Sequence, residues 1–189
     1  RTKNISSTQL REKSNEICKF GVITDNADDL GVVKETKYVS GIHIERVYSD
    51  DIAVAEEFCN KYELNSYSND FDKFVDDLGI VYIKSSIEKR YDYIKKCIEK
   101  GLHIICDFPF SYDNEKCQEL NRLAKEKNVA LMENIVSVYV RAFTQFLWIA
   151  RCGEVGKVLS VNIGMSSDFF KYEKTLEEMS VLAITAVIK

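Results

Sequence analysis

Short apolar runs alternate with amphipathic segments along almost the whole 189-residue chain, and no other feature narrows the possible folds as much. Cys18–Thr24 reads as an apolar strand, and residues 28–38 as a weak helix. Ile42–Tyr48 alternates apolar and polar as a half-buried strand does. Residues 50–62 then read as a helix with Ile52, Ala55 and Cys59 along one face. Residues 80–83 are a short buried strand after Gly79, and Tyr91, Ile94 and Ile98 trace the next helix, which Gly101 closes. Residues 102–106 form a further strand, and Cys117, Leu120, Leu123 and Ala124 repeat every three to four positions as a helix stripe. Residues 129–132 read as a strand, 138–150 as an apolar helix, and 158–164 (VLSVNIG) as a strand with one solvated face. Parallel strands need crossovers of roughly a dozen residues or more, which helices supply. The alternation therefore predicts an α/β fold, a doubly wound and mostly parallel, Rossmann-like sheet with helices on both faces.

Three segments follow from the same pattern. Residues 1–17 are polar throughout and read as a tail or solvated helix, residues 18–135 hold the alternating unit, and residues 136–189 begin something further. The first residue is not Met, which suits a piece of a longer polypeptide. Residues 181–188 are strongly apolar, so more chain or a partner is expected to cover them, either a homo-oligomer or a larger polypeptide. The formal net charge of -4 gives no electrostatic reason to expect nucleic acid or an anionic membrane as partner. No apolar run approaches the roughly 20 residues that a bilayer span needs, and no secretory signal is recognisable. The six cysteines are scattered without a C-x-x-C pair, which points to reduced thiols in a cytoplasmic protein. His43 and His103 stand far from any cysteine pair, so no metal site is expected. Cys106 ends a strand and reads as a small buried apolar residue rather than a nucleophile, and His103 as a packed, hydrogen-bonded structural histidine.

Two stretches carry a resemblance. They are IVYIKSSIEKRYDYIKKCIEKGLHIICDFPFSYDNEKCQELNRLAKEKNVALMEN, residues 80–134, and GEVGKVLSVNIG, residues 153–164. Their order of strand, helix, strand end with proline, helix and linking strand resembles the Gfo/Idh/MocA family, named for glucose–fructose oxidoreductase and inositol dehydrogenase. The resemblance implies an N-terminal NAD(P)-binding Rossmann domain over 18–135. It also implies a linking helix and the beginning of an α+β substrate domain, cut short, over 136–189. NAD or NADP is the implied cofactor, and a nucleotide or a sugar the implied ligand.

The residues that would carry the chemistry depart from the family pattern. The glycine-rich turn lets a backbone bend tightly and approach a pyrophosphate. Here Thr24, Asn26 and Asp29 stand at its glycine positions, with Asp25 and Asp28 between them. Like charges would meet a diphosphate there. Asp25, Asn26 and Asp28 are better read as caps of the first helix, where acids suit the helix dipole. Asp50, after the second strand, suits either a ribose hydroxyl or the N-cap of the next helix. Ser85, in Lys84-Ser85-Ser86, is placed to touch ribose or nicotinamide, or to satisfy the local backbone. At the E-K-P motif the chain has Asp107, Phe108 and Pro109, so an acid and the turn remain where the proton-handling lysine is replaced by a phenyl ring. The acid and histidine expected four residues apart fall on Ala183 and Val187, and no histidine follows His103.

The candidate cofactor-binding residues are thus Thr24, Asn26, Asp50, Ser85, Asp107 and Pro109, with no catalytic residue and no metal ligand. The functional expectation is a degenerate oxidoreductase domain serving as a non-catalytic binding, regulatory or assembly module. The alternative is an active NAD(P)-dependent oxidoreductase transferring hydride to or from a sugar or cyclitol.

Overall fold

The computed structural model describes residues 18–28, 30–135 and 139–164. They fall into two units, one of residues 18–106 with Phe110–Met132 and one of Asp107–Pro109 with residues 133–164.

The first unit is built on β1 (Cys18–Thr24), whose neighbours in the sheet are β2 (Ile42–Tyr48) on one side and β4 (Ile80–Lys84) on the other. With β3 (Ser66–Ser68), β5 (His103–Cys106) and β6 (Leu131–Glu133), the order is β3-β2-β1-β4-β5-β6. The pairs β1–β2, β1–β4, β2–β3 and β4–β5 all run parallel. The Ile104 N–H donates to Ala130 O at 2.8 Å just before β6 begins. The helices are α1 (Gly31–Thr36), α2 (Ile52–Tyr62), α3 (Phe71–Val75), α4 (Ile87–Glu99) and α5 (Asn114–Glu126). This is the Rossmann-like α/β fold that the alternation predicts.

Strand alternation divides the apolar residues between two cores. Phe20 and Val22 of β1 and Tyr82 of β4 face Val33 of α1 and Ala55, Phe58 and Tyr62 of α2. Ile23 of β1, with Val81 and Ile83 of β4, faces Phe74 of α3, Tyr93, Ile94 and Ile98 of α4 and Leu120 of α5. A register shift between Phe20 and Gly21 leaves Glu45 of β2 without a partner position on β1. That irregularity lets Ile44 and Val47, three residues apart, share one core. Gly21 faces the other core, where a Cβ would meet Leu78 and Phe74 at under 3 Å. Gly101, at φ +78°, ends α4 in the left-handed region as expected.

Several sequence expectations shift. The weak helix read over 28–38 is only Gly31–Thr36. The edge strand β3 and the five-residue α3 are additional elements, because three residues paired at one edge and one helical turn leave no periodicity to read. Residues 158–164 do not form a strand. They are exposed, and alternation alone cannot hold a strand that has no partner among the described residues.

The second unit contains α6 (Arg141–Arg151), the apolar helix expected over 138–150. None of its residues is buried, and Phe146 and Trp148 are exposed. Phe108 is 8% exposed, and the Phe108–Pro109 bond is cis. Among the described residues no helix is long and apolar enough to cross a membrane. The expectations on residues 1–17, Ala183, Val187 and the apolar run 181–188 lie outside the described residues.

Candidate functional site

In open α/β sheets the ligand crevice lies beyond the carboxyl ends of the strands, where the strand order reverses. Here that point is between β1 and β4, and three loops of the first unit meet it, those after β1, β2 and β4.

The β1 turn is occupied by its own side chains. Buried Thr24 donates from Oγ1 to Asn26 O at 2.6 Å, and the Asn26 N–H returns to Thr24 Oγ1 at 3.3 Å. Asn26 Nδ2 donates to Asp25 Oδ1 at 3.1 Å. Asn26 Oδ1 accepts the Asp28 N–H at 3.2 Å, an Asx turn, and also the ammonium of Lys84 at 3.0 Å. Asp25 Oδ2 accepts the Ser86 N–H at 2.6 Å. The capping role expected for Asp25, Asn26 and Asp28 on the first helix is therefore corrected. Leu30 precedes that helix without a side-chain cap, and its N–H donates to Tyr62 Oη at 2.6 Å. Asp25 instead caps α4 from across the crevice, because Ser86 is the N-cap residue of that helix and makes no side-chain cap of its own. Asp29 lies outside the described residues.

Lys84 is the residue that the sequence reading passed over. It ends β4 with a side chain only 14% exposed, and its Nζ lies 4.0 Å from Asp28 Oδ2 as well as on Asn26. An ammonium thus faces the acidic turn and offsets its charge. The signal was present, in a lone cation closing an apolar strand opposite an acid-rich turn.

In the loop after β2 the N-cap alternative for Asp50 does not hold. The helix cap is Asp51, whose side chain accepts the Ala53 N–H at 2.9 Å. Asp50 accepts the Tyr48 hydroxyl on Oδ1 at 2.8 Å, and the Tyr93 hydroxyl and Lys89 ammonium on Oδ2 at 2.6 and 3.1 Å. Burial presses its carboxyl upward, but the Tyr93, Tyr48 and Lys89 hydrogen bonds outweigh it and hold the pKa below the ordinary aspartate value. Burial, then the bond to Asp50, pushes the Tyr48 phenol up to about 12, and the same two causes raise Tyr93.

Ser85 is 6% exposed and its hydroxyl has no hydrogen-bond partner, so it does not satisfy the local backbone. Its carbonyl accepts Nε of the buried Arg90 at 3.2 Å, and Nη2 of the same guanidinium as well. Asp107 and Pro109 follow β5 and belong to the second unit. The structure therefore brings Thr24, Asn26, Asp50 and Ser85 to one end of one sheet, together with Asp25, Lys84 and Lys89. Cys106 is fully buried, as its apolar reading expects. His103 is exposed rather than packed, and its Nδ1 accepts the Ala130 N–H at 2.9 Å. A cavity of about 120 Å³ lined by Val33, Lys37, His43, Tyr62 and Asn65 lies toward the opposite, amino-terminal end of β2 and is remote from the crevice. Among the described residues no three His, Cys, Asp or Glu side chains are grouped to hold a metal ion.

An NAD-binding fold implies a dinucleotide at this crevice, and the residues present do not fit one. No glycine opens the β1 turn, and its polar atoms are already bonded to one another and to the β4 loop.

Residues 22–135 match the GFO_IDH_MocA family, described as an oxidoreductase family with an NAD-binding Rossmann fold. A trans-1,2-dihydrobenzene-1,2-diol dehydrogenase of Xenopus tropicalis is 20% identical over 164 residues, 86% of this chain and 49% of the relative. The Xenopus laevis protein of the same name is 18% identical over the same share. The chain thus spans about half the length of these curated relatives. Among solved structures, an NAD binding oxidoreductase from Klebsiella pneumoniae superposes with a TM-score of 0.64 at 20% identity, covering 74% of this chain and 40% of that one. KijD10, a 3-ketoreductase from Actinomadura kijaniata in complex with NADP and TDP-benzene, gives 0.63 at 18% identity, covering 72% and 42%. These likenesses establish a shared fold, and the match over residues 22–135 establishes more: the chain belongs to the Gfo/Idh/MocA oxidoreductase family.

Proposed function

We propose that this chain is a degenerate member of its family, a binding, regulatory or assembly module that carries out no hydride transfer and does not hold NAD or NADP in the family's manner. The observation that carries the reading is the β1 turn, where the Asp25 carboxylate occupies the Ser86 amide and Asn26 occupies Lys84. In hydride transfer the cofactor supplies the chemistry and the protein supplies binding and orientation. A turn that spends its donors and acceptors internally supplies neither to a diphosphate. Phe108 at the lysine position of the E-K-P motif adds that no ammonium is available there to handle the substrate's proton. Residues from 136 onward are proposed to begin the substrate domain of the family.

Titration calorimetry with NAD⁺, NADH, NADP⁺ and NADPH tests this reading. No heat of binding is expected for any of the four. Micromolar affinity for one of them, about 8 kcal/mol of binding free energy, would overturn the proposal.

A further inference from the structure

The cavity of about 120 Å³ at the amino-terminal end of β2 lies wholly within the first unit. Its floor is apolar, made by Val33 of α1, Ile42 and Ile44 of β2, and Tyr62 and Leu64 at the end of α2. Bonds within the chain fix its walls. Tyr62 Oη accepts the Leu30 N–H at 2.6 Å, the Leu64 N–H donates to Cys59 O at 3.0 Å, and Thr36 Oγ1 donates to Val33 O at 2.8 Å. The mouth is polar, with Lys37, His43, Glu63 and Asn65. Lys37 and Glu63 are the C-cap residues of α1 and α2, so two helix ends set one ammonium and one carboxylate there, 4.0 Å apart. Both side chains are more than half exposed, so water screens the pair and each charge stays open to another partner. Glu63 is also out of place by local rules. It holds φ 57°, where glycine or asparagine is favoured, and it sets an acid at a helix C-terminus, where the dipole favours a cation. A position that breaks two local rules in return for one exposed contact is where a function is expected.

We propose that this cavity is a binding site for a free α-amino acid with a branched aliphatic side chain of the size of valine or leucine. The site is remote from the crevice and does not depend on what the crevice binds. The floor selects the side chain. An apolar cavity of about 150 Å³ takes up benzene. The smaller volume of about 120 Å³ here suits a branched aliphatic group instead. The mouth selects the rest of the ligand. An ammonium alone would pair with Glu63 but meet Lys37, and a carboxylate alone would do the reverse, whereas a zwitterion complements both. An α-amino acid carries its two charged groups on one carbon, close enough together to engage a cation and an anion 4.0 Å apart. Its carboxylate would lie on the Lys37 ammonium and its ammonium on the Glu63 carboxylate, with no covalent step. Asn65 Nδ2 is 3.0 Å from His43 Nε2, which leaves the Asn65 amide oxygen to accept from the ligand's ammonium as well. A residue inside a peptide lacks both charges, so the site selects the free amino acid.

The test adds L-leucine to the unmodified chain and follows the backbone amides of Lys37, His43, Leu64 and Asn65 by two-dimensional NMR. Saturable shifts centred on these amides are expected, with a Kd of about 1 mM or tighter. N-acetyl-L-leucine keeps only the carboxylate and L-leucinamide only the ammonium, and each should bind about tenfold more weakly, since each leaves one like charge opposed. Lys37→Met and Glu63→Gln, both at exposed positions, should each weaken leucine binding by about three- to fivefold, with the thermal transition reporting that the variant is folded. Absence of saturable shifts at leucine concentrations well above that range overturns the proposal. Equal binding of leucine and its two blocked forms also overturns it, because the paired charges would then play no part, as does unchanged affinity in either folded variant. Where a variant does not fold, the blocked forms tested on the unmodified chain decide alone. Micromolar NAD(P) binding at the crevice would refute the proposed function and leave this site standing.

Discussion

Replacing Tyr93 by Phe removes one of the three hydrogen bonds that Asp50 accepts and leaves the rest of the core in place. The ring stays where it packs, edge-on to Tyr48 with centroids 6.2 Å apart, in a core where Tyr93 is 3% exposed. What is lost is a 2.6 Å hydrogen bond to an ionised carboxylate. Bonds of that kind contribute about 1.5–3 kcal/mol. The Asp50 side chain is 47% exposed, so water can take the vacated position on Oδ2, and the lower end of the range applies. A loss of about 1.5 kcal/mol corresponds to a fall of about 3–6 °C in Tm for a chain of this length. The sign of the pH dependence is fixed by Asp50, whose carboxyl is held below its ordinary value in the folded chain. Its contribution is present above the unfolded value of about 3.9 and disappears as pH falls through the folded value. Urea unfolding of both chains should therefore show a gap at neutral pH that narrows in the acid range. Equal stability at neutral pH, or a gap that stays constant as Asp50 protonates, would refute the argument, because the loss would then owe nothing to the charged bond.

Three further outcomes rest on other parts of the molecule. Gly21→Ala would place a Cβ 2.5 Å from Leu78 Cδ1 and 2.7 Å from Phe74 Cζ, and overpacking of this kind should cost about 1–3 kcal/mol in urea unfolding. A stability equal to the parent would show that α3 yields freely. Asp51→Ala removes the cap of α2 and should cost about 1 kcal/mol while leaving the Ser86 amide exchange unchanged, since that amide donates to Asp25 and not to Asp51. Accelerated Ser86 exchange in that variant would contradict the assignment of Asp50 and Asp51 to separate roles. In alkali, Tyr48 ionises near 12 instead of near 10, first because it is buried and then because it donates to Asp50. A raised value means the associated stability is whole below about pH 10 and lost as pH climbs through about 12. Phenolate absorbance should show this tyrosine titrating with unfolding, and a normal titration in the folded chain would contradict the buried position.

The strands of the middle of the sheet were legible in two ways, β1, β4 and β5 as short and nearly continuous apolar runs and β2 through its alternation. β1 and β2 coincide with Cys18–Thr24 and Ile42–Tyr48 as read from the residues, and β4 and β5 differ by a residue at one end. At the sheet edge the signal fails, since Ser66–Ser68 pairs through its backbone on one side only and buries no side chain fully. Residues 158–164 show the converse. The alternation is present, but pairing is a property of two segments and cannot be read from one. In the site, the acids of the β1 turn were visible while their partners were not, because Asp25 and Ser86 lie 61 residues apart in sequence. Asp50 was read as a possible cap of α2, whereas the side chain that accepts the Ala53 N–H is that of its neighbour Asp51, a one-residue difference that sequence position alone does not settle.

The separation of core from edge explains how a Rossmann sheet can persist without a dinucleotide cradle. The strand side of the two cores is made by Phe20, Val22, Ile23, Val81, Tyr82 and Ile83, none of which belongs to the three crevice loops, and Leu30 alone among these loops' residues from 25 to 30 joins a core. Apolar burial, the main source of stability, is therefore indifferent to what stands at positions 25, 26 and 50. Glycine in such a turn would cost conformational entropy and contribute no contact, whereas Asp25 and Asn26 each tie β1 to β4. Residues of the β1 turn thus contribute structure of their own, whatever the crevice binds. Asp50 follows the same logic, since a carboxylate offers about four acceptor positions and three are already taken by Tyr48, Tyr93 and Lys89. A ribose diol needs two, so it cannot bind Asp50 without first displacing a donor that now holds α4 to the sheet.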